Sequence, residues 1–290
     1  MKLIIYTTCK PFRDNDLWRQ EQAIKSWIQL EGIEKKIIIC GDDYGTDEIC
    51  KKYDLIHRPD IRKLDGVPYL HDMFEIANEY ADTSDYLLWI NSDMICFNDM
   101  IQNILSFDKL RQMNKNNNSF KDFILIGRRW NWENPKKLDS INKKHFMNKM
   151  VTNLNKSVLI KQYSDDKYYG NLHPQTGIDY VIHSKTTFIN KISKELVIAG
   201  TGHDMIMVGT ALRNNNFCCN ISNTNFIIHQ NHNIREERHG LTDSNFDYSN
   251  IISNNRKIQY QDWDLLKGIS DVKNITCIES DEIKFKSVLE

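Results

Sequence analysis

The chain has 290 residues, of which 40% are hydrophobic and 27% are charged, a composition typical of a globular protein with a sizeable core. Its net charge of -1 provides no field to attract a polyanion, so duplex nucleic acid and acidic membranes are poor partners. The seven cysteines are scattered and include no Cys-x-x-Cys pair. This argues against a disulfide framework or a structural zinc site and favours a reducing compartment.

The amino-terminal apolar run is too short for a signal peptide, and no later run is long enough to cross a membrane. We therefore expect a cytoplasmic protein. No internal repeat or Pro/Gly/Ser-rich linker divides the sequence, so residues 1–290 are predicted to form one domain. Its expected parts are a nucleotide-binding half (1–100), a donor-sugar and acceptor half (101–245) and a C-terminal extension (246–290).

Short apolar runs alternate with helical patterns in the first half of the chain. The runs predict strands at Leu3–Tyr6, Ile37–Cys40, Leu55–His57 and Tyr86–Ile90. Amphipathic helices are predicted between these strands. Continuous apolar strands separated by such helices are typical of a parallel sheet covered on both faces. The sequence therefore predicts an α/β fold with a Rossmann-like, mostly parallel sheet.

The second half is less regular, and its apolar runs predict three further strands: Phe123–Gly127, a segment entered at Tyr180, and Phe226–Ile228. Helical spacing occurs twice: at Phe146, Met150 and Leu154, and at Met205, Val208 and Leu212. These elements are predicted to form an acceptor-side subdomain on the same sheet.

The turn after the first strand lacks the Gly-x-Gly-x-x-Gly pattern, and no Gly-x-x-x-x-Gly-Lys loop occurs. This disfavours a dinucleotide oxidoreductase and a P-loop kinase. The turns after the first two strands instead carry Thr7, Thr8 and Asp42, whose hydroxyl and carboxylate groups suit a nucleoside. Ordinary turn and capping chemistry is the alternative interpretation of these residues.

Asn91, Ser92 and Asp93 directly follow the buried strand Tyr86–Ile90. Ligands of open α/β sheets bind beyond the carboxyl ends of the strands, and a carboxylate placed there can hold a divalent cation. Acidic residues at strand ends are also common as solvated turn residues. The triplet therefore indicates a candidate metal and phosphate site.

Five segments, in this order, together resemble glycosyltransferases of the GT-A fold, and more closely a group of soluble members from bacteria and large DNA viruses: Gly66–Leu70, Asn91–Asp93, Leu125–Trp130, His173–Tyr180 and Ile228–His232. The resemblance implies transfer of a sugar from a nucleoside-diphosphate sugar, with a UDP-sugar favoured. The acceptor would be a hydroxyl of a glycan, a protein or a small molecule. The implied cofactor is Mn²⁺ or Mg²⁺.

The resemblance also implies a metal shell. Asp93 matches the last acid of the Asp-x-Asp metal motif, and His229 or His232 matches the histidine that completes the shell. Asn91 stands where the first acid usually is, which implies a weaker metal site because an amide oxygen supplies no charge. Gly177 matches the glycine loop that lets the chain approach the donor sugar.

The same resemblance assigns the acceptor side. Asp204 matches the acid at the start of a helix that faces the acceptor, and His203 precedes it where a Glu is common. Removing a proton from an acceptor hydroxyl requires a carboxylate within hydrogen-bond reach, and a single displacement inverts the anomeric carbon. Asp204 is therefore the expected base. A helix cap is its structural alternative.

Further residues complete the predicted site. Arg128 or Arg129 is expected to pair with the diphosphate, because a guanidinium fork matches phosphate. A solvated strand end is the alternative for both. Asp179 is expected to orient the acceptor or to brace its loop. Asp72 is expected to reach the nucleotide or to lie on the surface.

Two other classes of protein remain open. A sugar-1-phosphate nucleotidyltransferase shares the Rossmann-like half, but usually carries a Gly-rich phosphate loop that Thr7–Phe12 lacks. A non-catalytic nucleotide- or glycan-binding protein of GT-A type is the other alternative, and Asn91 motivates it.

Overall fold

A computed structural model describes residues 1–115, 120–133, 135–144, 146, 150–152, 168–175, 177–188, 190–198, 202–232, 249–261, 267–279 and 282–287. Its helices are α1 (Asp14–Ile28), α2 (Thr46–Tyr53), α3 (Leu70–Glu79), α4 (Asp99–Met113), α5 (His203–Arg213) and α6 (Ser249–Gln261). No helix among these described residues is both long and apolar enough to span a bilayer.

The strands are β1 (Lys2–Thr8), β2 (Glu34–Cys40), β3 (Ile56–Arg58), β4 (Lys63–Leu64), β5 (Val67–Pro68), β6 (Tyr86–Ile90), β7 (Met94–Ile95), β8 (Phe123–Ile126), β9 (Trp130–Trp132), β10 (Met150–Thr152), β11 (Tyr168–Leu172), β12 (Tyr180–His183), β13 (Phe217–Asn220), β14 (Ile228–Gln230), β15 (Asn274–Glu279) and β16 (Glu282–Ser287). They form two sheets and one short hairpin, β4–β5.

The central sheet has nine strands in the order β16-β15-β13-β8-β12-β6-β1-β2-β3. Strands β1, β2, β3, β6, β8, β13 and β15 run in one direction, whereas β12 and β16 run antiparallel to their neighbours. The carboxyl ends of β1, β2, β6 and β8 therefore meet at one edge, together with the amino end of β12. This confirms the predicted mostly parallel α/β sheet.

Two apolar layers cover the faces of the central sheet, because alternate residues of each buried strand point to opposite sides. In β1, Leu3 and Ile5 pack with α1 and α4, whereas Ile4 and Tyr6 pack with α3 and α5. All four side chains are fully buried.

A second sheet of five strands, in the order β10-β11-β9-β14-β7, was not predicted. It continues two strands of the central sheet: β7 follows β6, and β9 follows β8, each after a turn of three residues. The polypeptide therefore leaves one sheet and enters the other at Asn91–Asp93 and at Gly127–Arg129.

Two predicted elements differ from the structure. The helix predicted from Phe146, Met150 and Leu154 is wrong at Met150, which begins strand β10, and Leu154 lies outside the described residues. A spacing of four residues also places side chains on one face of a strand, so the pattern did not discriminate. The strand predicted at Phe226–Ile228 instead spans Ile228–Gln230, because the buried polar residue Gln230 belongs to its ladder.

Candidate active site

Asp93 and two histidines form a compact cluster where β6 passes into β7. The Asp93 Oδ2 atom lies 3.2 Å from His229 Nε2 and 3.4 Å from His232 Nε2. One ligand atom from each residue falls within 4.8 Å of the others, a spacing that suits a single cation. The side chains are 14%, 10% and 16% exposed, respectively, so the cluster is largely shielded from solvent. The structure thus brings Asp93 together with both histidines, of which one or the other was predicted to complete the metal shell.

The hydrogen bonds around His229 fix which of its ring nitrogens can bind a cation. Asn231 Nδ2 donates to Glu133 Oε2 (2.8 Å), so Asn231 Oδ1 faces His229 Nδ1 at 2.7 Å. Because a carbonyl oxygen only accepts, Nδ1 carries a proton, and in the neutral imidazole the lone pair of Nε2 faces Asp93. In that state two hydrogen-bond acceptors, His229 Nε2 and Asp93 Oδ2, lie 3.2 Å apart. A cation between them would satisfy both.

The charge state of Asp93 suits the same role. Burial alone raises the pKa of this carboxyl, but His229 and His232 in their protonated form outweigh burial through their charge and hydrogen bonds, and hold the pKa well below its usual range. Its second oxygen, Oδ1, is buried and has no hydrogen-bond partner among the described residues. An ionised, buried carboxylate with an unpaired oxygen is a good ligand for a divalent cation.

The buried side chain of Gln230 connects the cluster to helix α1. Its Nε2 donates to the Asp93 carbonyl (3.1 Å) and to the Arg19 carbonyl of α1 (2.8 Å), and its Oε1 accepts from Gln22 Nε2 (2.8 Å). The side chain is fully buried. Because β14 pairs with both β7 and β9, Gln230 fixes His229 and Asp93 relative to each other. Sequence analysis did not assign a role to Gln230, although it lies beside His229.

Asn91, Asp179 and Arg129 form a second group beside the metal cluster. Asn91 Nδ2 donates to Asp179 Oδ1 (2.7 Å), and the Asn91 amide N–H donates to the Asp179 carbonyl (2.9 Å). Arg129 Nη1 forms an ion pair with Asp179 Oδ2. Burial lowers the pKa of Arg129 to about 10, and the negative charges of Asp93 and Asp204 act in the opposite direction. Arg129 therefore stands within the field of both carboxylates.

The two neighbouring arginines have different surroundings. Arg128 Nε donates to the His173 carbonyl (2.7 Å) and Arg128 Nη2 to the Leu172 carbonyl (3.3 Å), so this guanidinium holds the main chain at the end of β11. Arg129 lies between acidic side chains instead. Of the two, Arg129 is the one that lies near Asp93 and Asp204.

Asp204 lies in the first turn of α5, and its Oδ2 accepts a hydrogen bond from the Ile178 amide at 3.2 Å. This contact places Asp204 beside the residue that precedes Asp179. The neighbouring His203 contacts the Trp89 ring edge-on, with ring centroids 5.4 Å apart. Burial lowers the pKa of His203, and neither ring nitrogen has a hydrogen-bond partner among the described residues.

Gly177 is needed for packing in the turn before β12. A Cβ at this position would lie 2.3 Å from Cε1 and 2.5 Å from Nδ1 of His173. The imidazole of His173 therefore occupies the space beside the glycine. The main-chain N–H of His173 donates to the Arg129 carbonyl (2.9 Å), so a hydrogen bond connects this turn to Arg129.

The predicted nucleoside residues lie at the same sheet edge: Thr7 and Thr8 are the last two residues of β1 and not part of the turn after it, and Asp42 follows β2. Thr8 Oγ1 is buried and has no partner among the described residues, whereas Thr7 Oγ1 donates to the Thr8 carbonyl (3.1 Å). Asp42 is 68% exposed and accepts from Lys63 Nζ (2.5 Å), and this hydrogen bond lowers its pKa. Lys63 also lies 3.3 Å from Asp43. Sequence analysis missed Lys63, because the β4–β5 hairpin that positions it is too short to show a periodic pattern.

Ser92 links the metal triplet to the loop after β1. Its hydroxyl donates to Gln20 Oε1 (2.8 Å), and the Gln20 amide bonds the main-chain N–H and carbonyl of Lys10. Asp72 lies elsewhere: its carboxylate is held by Arg62 through two hydrogen bonds of 2.7 and 2.8 Å. Among the described residues, the hydrogen bonds of the Asp72 carboxylate come from Arg62 and not from the cluster at Asp93.

The central sheet and its flanking helices have the arrangement of the GT-A type of fold. A comparison with solved structures agrees. A structure of residues 1–349 of S. aureus TarS in complex with UDP-GlcNAc matches with a TM-score of 0.53 and 13% identity. The match covers 90% of this chain and 66% of that one, so this chain spans slightly less than two thirds of the TarS structure.

Mannosyl-3-phosphoglycerate synthase from Rubrobacter xylanophilus also matches, with a TM-score of 0.42, 11% identity and coverage of 100% of this chain and 85% of that one. No protein-family profile and no curated protein matches the sequence. At these identities the similarity shows the fold alone, and the assignment rests on the TarS comparison.

Proposed function

We propose that this protein is a glycosyltransferase that moves a sugar from a nucleoside-diphosphate sugar to an acceptor hydroxyl. One observation carries the proposal: the cluster of Asp93, His229 and His232 lies at the carboxyl end of a central strand in a GT-A fold. Ligands of open α/β sheets bind at that edge. Thr8 and Asp42 lie at the same edge, where the nucleoside would bind.

Asp93, His229 and His232 would hold a divalent cation. The buried, unpaired Oδ1 of Asp93 and the lone pair of His229 Nε2 fit such an ion. Two imidazoles in the donor set favour Mn²⁺ over Mg²⁺, which prefers oxygen ligands. When bound, the cation would supply Lewis-acid stabilisation of the charge on the departing diphosphate. Arg129 would add a fixed positive charge next to it.

Asp204 is proposed as the base that takes the acceptor proton. Its negative charge and that of Asp93 both act on the Arg129 guanidinium, so Asp204 belongs to the same group of charged side chains as the proposed metal cluster. If this carboxylate takes the acceptor proton in a single displacement, the anomeric carbon would be inverted. Asp179 would orient Arg129, and His203 would offer an unpaired ring nitrogen to a sugar hydroxyl.

A UDP-sugar is the proposed donor, as the sequence resemblance implied, and a cytoplasmic location is proposed with it. The cysteines whose side chains the structure describes are free and buried, in keeping with a reducing compartment. No observation in the described residues favours the nucleotidyltransferase alternative.

The test is to titrate the purified protein with UDP-sugars with and without Mn²⁺, following melting temperature and UDP release. A ligand that binds only the folded state raises the melting temperature by mass action. Asp93→Ala should abolish the manganese-dependent part of both signals. The control is Asp82→Ala, which removes an exposed carboxylate at the opposite edge of the sheet.

Three results would contradict the proposal. Full UDP release in excess chelator would show that the reaction needs no metal. Binding without any turnover would support a non-catalytic binder. Formation of pyrophosphate from a nucleoside triphosphate and a sugar 1-phosphate would identify a nucleotidyltransferase instead.

A further inference from the structure

Asn91 occupies the position that an acid usually takes in the Asp-x-Asp motif, and the structure shows what its amide contacts. Nδ2 donates to Asp179 Oδ1 at 2.7 Å. The main chain repeats the link, since the Asn91 N–H donates to the Asp179 carbonyl at 2.9 Å. The side chain of Asn91 is thus directed to a residue 88 positions further along the chain.

Only an amide or another donor can make this contact. The carboxylate of Asp179 accepts hydrogen bonds and does not donate them. An aspartate at position 91 would bring a second acceptor and a second negative charge against Asp179. The residue type at position 91 is therefore explained by Asp179.

Asp179 in turn controls a buried guanidinium. Its Oδ2 pairs with Arg129 Nη1, and the two side chains are 11% and 13% exposed, respectively. Arg129 Nε donates to Asn131 Oδ1 at 3.0 Å, and Asn131 Nδ2 donates to Asn171 Oδ1 at 3.0 Å. Arg129 is therefore held from two sides, by a carboxylate that Asn91 orients and by an amide in β9.

We propose that Asn91 is a positioning residue that does not bind the metal: it orients Asp179, which holds Arg129 beside the diphosphate of the donor. This inference rests on the proposed function, because Arg129 is placed at the diphosphate of a nucleotide sugar. Position 91, which usually carries an acid in the Asp-x-Asp motif, then serves the binding of the diphosphate and not of the metal. Among the described residues, Asp93, His229 and His232 then form the metal shell.

Two affinities separate this role from that of a metal ligand. The first is the affinity of the nucleotide-free protein for Mn²⁺, measured by electron paramagnetic resonance. The second is the Kd for UDP in excess EDTA, measured by calorimetry. Asn91→Ala should change the manganese affinity by less than about twofold. It should weaken UDP binding about tenfold or more, the loss expected when a displaced Arg129 no longer makes its hydrogen bond to the charged diphosphate.

Asp93→Asn is the matched comparison and should give the reverse pattern, with weaker manganese binding and a nearly unchanged Kd for UDP in EDTA. Asn91→Ser, which keeps a donor, serves if the alanine variant does not fold, and its UDP affinity should fall less. Asn91→Asp is less decisive, because its new charge alone would alter both affinities.

Weaker manganese binding in Asn91→Ala with an unchanged Kd for UDP would overturn the inference. The manganese titration needs no nucleotide, so it decides whether Asn91 is a ligand independently of the donor. Wild-type protein that binds Mn²⁺ but no UDP would contradict the proposed function, and unchanged manganese affinity in Asn91→Ala would still exclude Asn91 from the metal shell.

Discussion

Asp204 follows Gly202 and His203 at the start of α5, and the residue at the cap position, Gly202, has a φ of 84° and offers no capping side chain. The carboxylate instead accepts the Ile178 amide, which the amide oxygen of an asparagine would also accept. Asp204→Asn should therefore keep the fold and the donor affinity. If Asp204 is the base, kcat should fall by about 10²–10⁴ with little change in donor KM.

Transfer rate and melting temperature, measured on the same Asp204→Asn preparation, decide between the two roles. A stable and inactive protein supports the base. A stable and fully active protein would show that Asp204 is structural, and Asp179 would be the next candidate.

At the scale of elements, helix α1 is unusual because its buried face carries polar side chains. Gln20 binds the main chain of Lys10, and Gln22 binds Gln230 in β14. The helix therefore anchors two loops of the site through amide hydrogen bonds in addition to apolar packing. Such buried amides are costly to leave unpaired, which fixes the loops in one arrangement.

Gln230→Met tests this anchoring. It removes the donor to the Asp93 and Arg19 carbonyls while roughly conserving side-chain volume. Unfolding free energy should fall by about 1–3 kcal/mol, the cost of leaving buried groups unsatisfied. Manganese affinity should fall about 10- to 100-fold, as is usual when a group that orients a metal ligand is lost.

Chemical denaturation and manganese titration of the Gln230→Met variant measure the two effects. Gln112→Met, the same change at an exposed position of α4, is the control and should alter neither. Unchanged manganese affinity in Gln230→Met would show that β7 and β14 hold Asp93 without this side chain.

Sequence analysis predicted the first half of the central sheet well, because β1, β2 and β6 are continuous apolar runs. The second sheet was not predicted, because its strands are only two to five residues long. Strand β9 illustrates the difficulty: it reads Trp-Asn-Trp, and a run of three residues shows no usable period.

In the candidate site, too, some features could be predicted from the sequence and others could not. Asp93 was predicted together with His229 or His232, because a strand end is visible in a sequence and the order of motifs resembles that of GT-A glycosyltransferases; the choice between the histidines stayed open. The separate surroundings of Arg128 and Arg129 were not, since they depend on which side chain meets β11 and which meets Asp179. The partner of Asn91 lies 88 residues away and required the antiparallel placement of β12.

At the scale of the whole molecule, His183 in β12 is a buried polar group on which stability depends. Its Nε2 lies 2.7 Å from the Tyr6 hydroxyl and its Nδ1 2.8 Å from the Ser184 carbonyl. The carbonyl only accepts, so Nδ1 carries the proton and Nε2 accepts from Tyr6. The rings of Phe74 and Phe188 pack against it. The imidazole is therefore held neutral.

Burial lowers the pKa of His183 from 6.5 to about 4. Below pH 6.5 the unfolded chain binds a proton that the folded protein does not, so folding should weaken as the pH falls and level off below about 4. The expected loss is about 3 kcal/mol.

The measurement is the free energy of unfolding in urea between pH 7.5 and 4, for wild type and for His183→Gln, whose amide keeps a donor and an acceptor. The wild type should lose about 3 kcal/mol more than the variant over this range. Parallel curves would mean that other groups determine the acid sensitivity.

Strand β14 has a consequence for the order of events during synthesis. Strands β1, β2, β3 and β6 lie side by side at one end of the central sheet and are all present once the first 90 residues have been made. The contact between Asp93 and Gln230 spans 137 residues, so the chain must close a long loop before the histidines arrive. A cation held there, as proposed, would stabilise the finished protein and leave the nascent amino-terminal half unaffected. Manganese affinity would then report on the completion of folding.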